Sequence, residues 1–515
     1  MAYMGDNDAM APEPPLYSTA YKRLVVLLLM TAYTFNAMDR TIISIIGQSM
    51  KLDLKLTDTE LGLLGGTAFA LLYAFGGIPI ARLAERISRV NIITVALIVW
   101  SSLSALCGAA ASFPQLLLIR AGVGFAEAGC SPPAHSLISD YFEPSRRTSA
   151  LSIYTCGISL GYLLAALAGG YVAQHWGWRA ACAMVGLPGL VIAVLIKTLV
   201  REPPRGYSEP AAASRDRAVL PRFSWRAEVR ELRNVVSALL TDRSVLHMVL
   251  GVTIGGFAAY GFYAFLPPYL SRGFGLDYTT IGVIAGLSAG VAVGIGIVAG
   301  GFVADALATR NARWYALVPG LGGAIAVPLY VLALLQPRWP AATCLLSMAG
   351  FFQYASLGPT FGVVQNVVGT RRRATATAFL YICLNVFALG GGPLFTGWVI
   401  DHFAETGFAA QFNGQAGGGA GRAMGGGGER AVGATFKRSC PGGTGPRPAG
   451  PRSAGPSTAG TEVNFQCRSI LAQATKRGML VMLFFFAWAS VHYLLASVGI
   501  AKALKAASSV QSDST

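Results

Sequence analysis

Four ionisable residues stand where this chain can least easily accommodate them. In "TFNAMDRTII" (34–43) Asp39 and Arg40 are adjacent inside a run otherwise nearly free of charge, and "LLLIRAGVGFAEAG" (116–129) carries Arg120 and Glu127. On a helix, residues seven apart lie two turns less about 20° from one another, so Arg120 and Glu127 point the same way, ~10 Å apart along the axis. Asp39 and Arg40 fall about 13 Å below the nearer membrane surface, Arg120 comes near the level of Asp39, and Glu127 lies deeper. An ionisable side chain at such depth costs at least ~2.5 kcal/mol, so it should face a cavity and find partners. Depth permits Asp39 with Arg120 and Glu127 with Arg40. A carboxylate that gains and loses an arginine can bind and release a proton, which makes Asp39 and Glu127 candidates for proton coupling. Arg40 and Arg120 are their charge partners and candidates for binding an anionic head group. A fixed ion-pair network joining two helices is the structural alternative.

Tyr33 and Asn36 share with Asp39 and Arg40 roughly 120° of helical arc, a polar lining on one face. The second half of the chain offers no midspan acid or base. Its candidates for the opposite cavity wall are Tyr260, Tyr263, Gln353 and Asn385, each of which could also serve as packing or interhelical glue. One wall would be ionic and the other apolar and aromatic, an arrangement suited to an amphiphile.

The elements that must carry these residues are membrane helices. Of 515 residues 53% are hydrophobic and 12% charged, against about 25% charged in a soluble globular protein. The apolar residues form blocks of roughly 20 or more, long enough to span a bilayer as helix. Blocks near 22–48, 60–83, 91–112, 115–140, 148–174 and 178–200 make a first six-helix bundle (22–200). Blocks near 245–271, 279–306, 313–336, 340–368, 373–402 and 477–501 make a second (245–501). Residues 1–21 and 502–515 read as tails. Residues 201–244 read as a Pro- and Arg-rich connector ending in an amphipathic helix along Trp225, Val229, Leu232, Val236 and Leu239. A Gly-, Pro- and Arg-rich segment, 404–468, cannot bury a core and reads as an external loop of low complexity.

The net charge of +16 would raise the question of nucleic acid in a soluble protein, but here the basic residues crowd into alternate loops. Arg82, Arg86 and Arg89, Arg146 and Arg147, Arg310 and Arg313, 371–373, and Lys502 with Lys505 follow the positive-inside pattern, which puts both termini in the cytoplasm and excludes nucleic acid as a partner. Six cysteines (Cys107, Cys130, Cys156, Cys182, Cys344, Cys383) are scattered through apolar blocks as small packing residues. Cys440 and Cys467 lie in the polar segment, where an oxidising compartment would permit a disulfide.

The two halves repeat one another. "ARLAERISR" (81–89) follows the second block and "GFVADALATR" (301–310) the eighth, with Glu85 and Asp305 in equivalent places and Arg86, Arg89 and Arg310 downstream. The first loop resembles a relaxed form of the major facilitator superfamily signature G-x-x-x-D-R-x-G-R-R, with Ala81, Glu85 and Ser88 replacing Gly, Asp and Gly. The resemblance implies an all-α integral membrane protein of twelve transmembrane helices in two pseudo-symmetric bundles that rock about a central cavity. It also implies a cytoplasmic gate at Glu85, Arg86, Arg89, Asp305 and Arg310.

"FNAMDRTIIS" (35–44), "RAGVGFAEAGCSPPAHSLISDYFEPSRR" (120–147) and "GISLGYLLAALAGGYVAQHWGWRAACAMVGLPGLVIA" (157–193) resemble the spinster family in a bacterial form. That resemblance implies proton-driven movement of lysophospholipids or sphingosine-1-phosphate-like lipids across the bacterial inner membrane. Asp39, Arg40, Arg120 and Glu127 would be the coupling and head-group residues. The expectation is a monomer among membrane lipids, with the proton gradient as energy source and no cofactor. The alternative within the superfamily is a proton-coupled organic-anion or sugar-acid symporter. A non-transporting receptor would have no use for a doubled gating loop. An enzyme is not indicated: "GISLG" (157–161) and "GLSAG" (286–290) lie within spans and lack the turn that exposes a nucleophile, and "GIGIVAGG" (294–301) suits close helix packing better than phosphate binding.

Overall fold

A computed structural model describes residues 17–84, 86–205, 207–208, 225–368, 373–413 and 458–512, and all regular structure among them is helical. Helix α1 (Thr19–Leu54) starts at Ser18, whose hydroxyl accepts from the Tyr21 N–H, and stops at Lys55 in the left-handed conformation. Helix α2 (58–84) opens on a capping box between Thr57 and Glu60. Then come α3 (Arg89–Cys107), α4 (113–141), α5 (144–176) and α6 (178–199), the last two divided at Gly177, whose φ of 83° suits glycine. The second half has α7 (Trp225–Thr241), α8 (Arg243–Phe274), α9 (Tyr278–Ala308), α10 (Trp314–Leu335) and α11 (339–367). It ends with α12 (373–413), α13 (Thr458–Ala496) and α14 (Ile500–Ser512).

Eight helices among the described residues are long and apolar enough to cross a membrane. One of them, Ala150–Leu199, is two crossings because the chain reverses at Gly177. Three more crossings have physical reasons to escape that count. Polar residues on the inward face of α1 lower its mean hydropathy, α4 is interrupted between Glu127 and Ser131, and α11 is interrupted between Tyr354 and Leu357. The result is twelve crossings, α1–α6 and α8–α13, in two six-helix bundles.

Within the first bundle α1 lies along α5, where Gly161 permits the approach: a Cβ there would sit 2.4 Å from the Thr34 carbonyl oxygen. The lobes meet most closely on the side where α1 ends, called distal here; the opposite side, where α1 begins and α13 ends, is called terminal. Two glycine seams join them. At α2 and α12, Gly62 and Gly397 would each place a Cβ 2.2 Å from a backbone oxygen of the other lobe, and at α5 and α9 Gly282 would place one 2.1 Å from the Ala166 oxygen. An apolar core continuous across both lobes, including Ile42 and Ile46 of α1 with Ala259 and Leu266 of α8, fills the distal half.

Several boundaries differ from the sequence reading. The segment read as a loop from 404 is helical to Asn413, and α13 already begins at Thr458. Ala404 and Phe408 are buried against Cys467, Ile470, Leu471 and Ala474, so this stretch has an apolar face to pack. Cys467 is disulfide-bonded; Cys440 lies outside the described residues, as do 414–457 and the N-terminal tail through residue 16. In α7 Leu239 is buried as read, together with Val235, against Val245, Met248, Ile500 and Ala503 of the second lobe, and Val236 is half-buried. Four of the six scattered cysteines are buried, but Cys156 and Cys344 are exposed. In "GIGIVAGG", Gly296 and Gly300 pack on the α11 backbone, whereas Gly294 and Gly301 face open space.

Candidate functional site

Arg40 Nε lies 2.8 Å from Glu127 Oε2, and Arg120 Nη1 lies 2.6 Å from Asp39 Oδ2. These are the two pairings that depth permits. Asp39 is 2% exposed, Arg120 1% and Glu127 0%, whereas the Arg40 side chain retains 26%. Removing a partner from such a buried pair would strand a charge in a medium that solvates it poorly. Local structure sets the positions: Glu127 ends the first segment of α4, just before the helix is interrupted ahead of Pro132 and Pro133. Hydrogen bonding is incomplete. Glu127 Oε1, Arg40 Nη2, Arg120 Nε and Asn36 Nδ2 are buried without partners among the described residues.

Arg40 borders a cavity of about 240 Å³ between the lobes and, among the described residues, is its one charged lining residue. Tyr33, Asn36, Tyr260, Tyr263 and Asn385 line it too, with Tyr73, Tyr162 and Tyr381, so six tyrosines face one space. Asp39, Arg120 and Glu127 stand behind this wall. Gln353 is not in the lining. It is buried against Gly255 and Gly323, which leave room for its amide between helices of the second lobe, and its Oε1 has no hydrogen-bond partner among the described residues. Asn385 sits in a π-helical turn (Cys383–Leu389) and donates to the Tyr381 carbonyl at 2.8 Å. Matching π turns occur in α2 (Leu63–Thr67) and α9 (Gly286–Ala292).

The described residues among those singled out by the repeated loops do not come together. Glu85 lies outside the described residues. Arg86 and Arg310 are exposed, and Asp305, also exposed, accepts from the Tyr315 hydroxyl at 3.0 Å. Arg89 is buried and pairs with Asp140 and, at 2.8 Å, with Ser136 of the first lobe, and at 2.7 Å with Glu202 at the start of the connector.

Polar ties between the lobes occur instead on the distal side, among residues that sequence reasoning missed. Asp58 is fully buried, with Lys51 Nζ at 2.7 Å and Arg272 Nη2 at 2.5 Å. Arg272 also donates to Gln48 and Thr475, each at 2.8 Å. From the second lobe, Asp401 accepts the Asp58 and Thr59 N–H groups at 3.0 and 2.8 Å, satisfying two orphan donors at the start of α2. Lys51, Asp58 and Arg272 sit near helix ends, and Asp401 near the end of the apolar block 373–402, where a sequence reading takes such charges for interfacial anchors.

Residues 29–393 match the family model described as Major Facilitator Superfamily, and the chain belongs to that superfamily of transporters. It is similar to an MFS-type efflux pump of Mycolicibacterium smegmatis, 31% identical over 375 residues that cover 72% of this chain and 83% of the relative. A hexuronate transporter of Bacillus subtilis is 25% identical over 386 residues, covering 73% and 87%. Within the superfamily the spinster resemblance is matched in three dimensions. The crystal structure of a bacterial homologue of the human lysosomal transporter Spinster, inward-facing and unoccupied, superposes with a TM-score of 0.76 at 29% identity, covering 95% of this chain and 99% of that one.

Proposed function

We propose that this chain is a proton-coupled secondary transporter of anionic amphiphiles, lysophospholipid-like or sphingosine-1-phosphate-like, working by rocker-switch alternating access. The observation that carries the reading is Arg40. Its guanidinium is tied to a buried carboxylate on one side and open to the cavity on the other. With Glu127 ionised, the four central charges sum to zero. A proton on Glu127, whose Oε1 has no hydrogen-bond partner, leaves Arg40 as a net cation on the cavity wall and able to hold an anionic head group. Proton and anion then favour one another's binding, and by linkage the preference is reciprocal. Tyrosine faces and the aliphatic residues Ile45, Ile158 and Leu384 give the remainder of an amphiphile somewhere to lie.

On this reading Asp39 and Arg120 hold the second pair in place, the distal ties close one mouth, and the loops bearing Arg86, Arg89, Asp305 and Arg310 close the other in the opposite state. The protein works as a monomer in the bacterial inner membrane with both termini cytoplasmic, drawing on the proton gradient and on no cofactor. A second reading, symport of a small organic anion or sugar acid, is favoured by the hydroxyl-rich lining, with Asn36 and Asn385 as further hydrogen-bonding groups, and by the hexuronate-transporting relative. Flux into proteoliposomes under an imposed pH gradient, compared for lysophospholipids and hexuronates, decides between the two. Gradient-insensitive flux of both would sink proton coupling.

A further inference from the structure

The ion pairs join α1 to α4, yet a third helix without a charge at that depth touches both. Phe69 of α2 is 1% exposed and wedged between the two guanidinium groups, its ring centroid 4.8 Å from Arg40 Cζ and 5.6 Å from Arg120 Cζ. One turn on, Tyr73 lies 4.5 Å from Arg40 Cζ and stacks on Phe69 at 5.6 Å. Elsewhere α2 grips the second lobe. The Thr67 hydroxyl donates to the Gly390 carbonyl at 2.5 Å, a Cβ on Gly66 would lie 2.5 Å from the Leu389 oxygen, and Asp58 carries the distal ion pair. A π turn, Leu63–Thr67, separates the ring-bearing part of α2 from its lobe-binding start.

We infer that Phe69 and Tyr73 are positioning residues for coupling: their rings hold the Arg40 guanidinium when Glu127 is neutral and pass the state of that pair into α2, the helix that closes the distal side. The proposal rests on proton exchange at Glu127. While Glu127 is ionised, the rings feel a cation beside its anion, and the two fields largely cancel. Once Glu127 is neutral, the guanidinium has no counter-charge and the negative ring faces become its main support, an interaction that strengthens with desolvation. The rings therefore favour the protonated state. Other titratable groups facing the pair are Asp39 and Arg120, together with Tyr33, Tyr162, Tyr260 and Cys130.

Hydrogen exchange of the peptide covering 57–67 tests this on the full chain in lipid nanodiscs, because the Asp58 and Thr59 amides donate across the lobes to Asp401. Exchange is followed across pH and corrected for its intrinsic pH dependence. The parent should show a transition that Glu127→Gln abolishes. Phe69→Leu and Tyr73→Leu should move its midpoint about half to one pH unit lower, the size of a partly desolvated cation–π contact, while Tyr73→Phe, which keeps the ring, should leave it in place. Tyr73→Leu alters a cavity-wall position and so tests the point without opening the core at Phe69. A parent without a transition, or one that survives Glu127→Gln, would overturn proton exchange at Glu127 and this inference with it. A parent transition abolished by Glu127→Gln but unmoved in both leucine variants, or moved equally by Tyr73→Phe, would overturn the role of the rings alone.

Discussion

The two lobes share a fold and divide the chemistry. At the centre of the first, Arg120 and two carboxylates are sealed behind Arg40, and Arg40, Arg120 and Glu127 carry buried polar atoms without hydrogen-bond partners among the described residues. The corresponding depth of the second lobe holds neutral groups: Tyr263 and Tyr330 share a hydrogen bond of 3.0 Å, and Tyr330 stacks on Phe486 with centroids 5.3 Å apart. An uncharged interior of this kind can move past its neighbour without exposing ions to lipid. A charged one has to exchange partners to move, and that requirement makes it the natural seat of coupling. On the proposed function, asymmetry between otherwise similar bundles separates a half that exchanges protons from a half that supplies a surface.

The contrast can be broken most forcefully at Arg120. Arg120→Leu strands Asp39 at 2% exposure and should cost roughly 3–5 kcal/mol, read as a large drop in the thermal midpoint in detergent. A melt like the parent's would show that the first lobe tolerates an unpaired charge. Cutting the tie between lobes with Arg272→Gln removes charge-assisted bonds to Asp58, each worth about 1.5–3 kcal/mol. Faster hydrogen exchange at the start of α2 is expected, with little change inside either bundle.

Glu127→Gln keeps shape and removes titration. Gradient-driven flux should fall about tenfold, the equivalent of roughly 1.4 kcal/mol, while exchange of substrate across the membrane without a gradient persists. Undiminished gradient-driven flux would place coupling elsewhere. In the second lobe, Tyr263→Phe deletes one neutral hydrogen bond and should cost only ~0.5–1.5 kcal/mol without altering the pH profile of transport. If it shifts that profile, the division of labour between the lobes is wrong.

A comparably small effect belongs to Asp277, the cap of α9. Burial would raise its pKa, but the hydrogen bonds from Thr280, N–H at 3.0 Å and hydroxyl at 2.7 Å, outweigh it and hold the carboxyl below its ordinary value. Because the folded value is the lower one, the stabilisation is present above the unfolded pKa of about 3.9 and disappears as pH falls through the folded value. Asp277→Ala should therefore cost ~1 kcal/mol near neutrality and almost nothing in strong acid, as thermal melts at the two pH values would show.

Much of this molecule was legible from one dimension, because a bilayer imposes two simple rules. Backbone polar groups must be satisfied within each span, which makes long apolar blocks helices, and ionisable groups at depth must find partners. Depth permits Asp39 with Arg120 and Glu127 with Arg40, and both pairs form. Tertiary structure decided what depends on side chains meeting across crossings. It buried Gln353 between helices instead of in the cavity wall, set Arg89 within one lobe, and gathered Lys51, Asp58, Arg272 and Asp401 into a tie that no local pattern announces. It also brought uncharged Phe69 between two cations. Periodicity reports which way a residue points along its own helix; the partner it meets depends on how separate helices pack, a relation that no spacing within one segment contains.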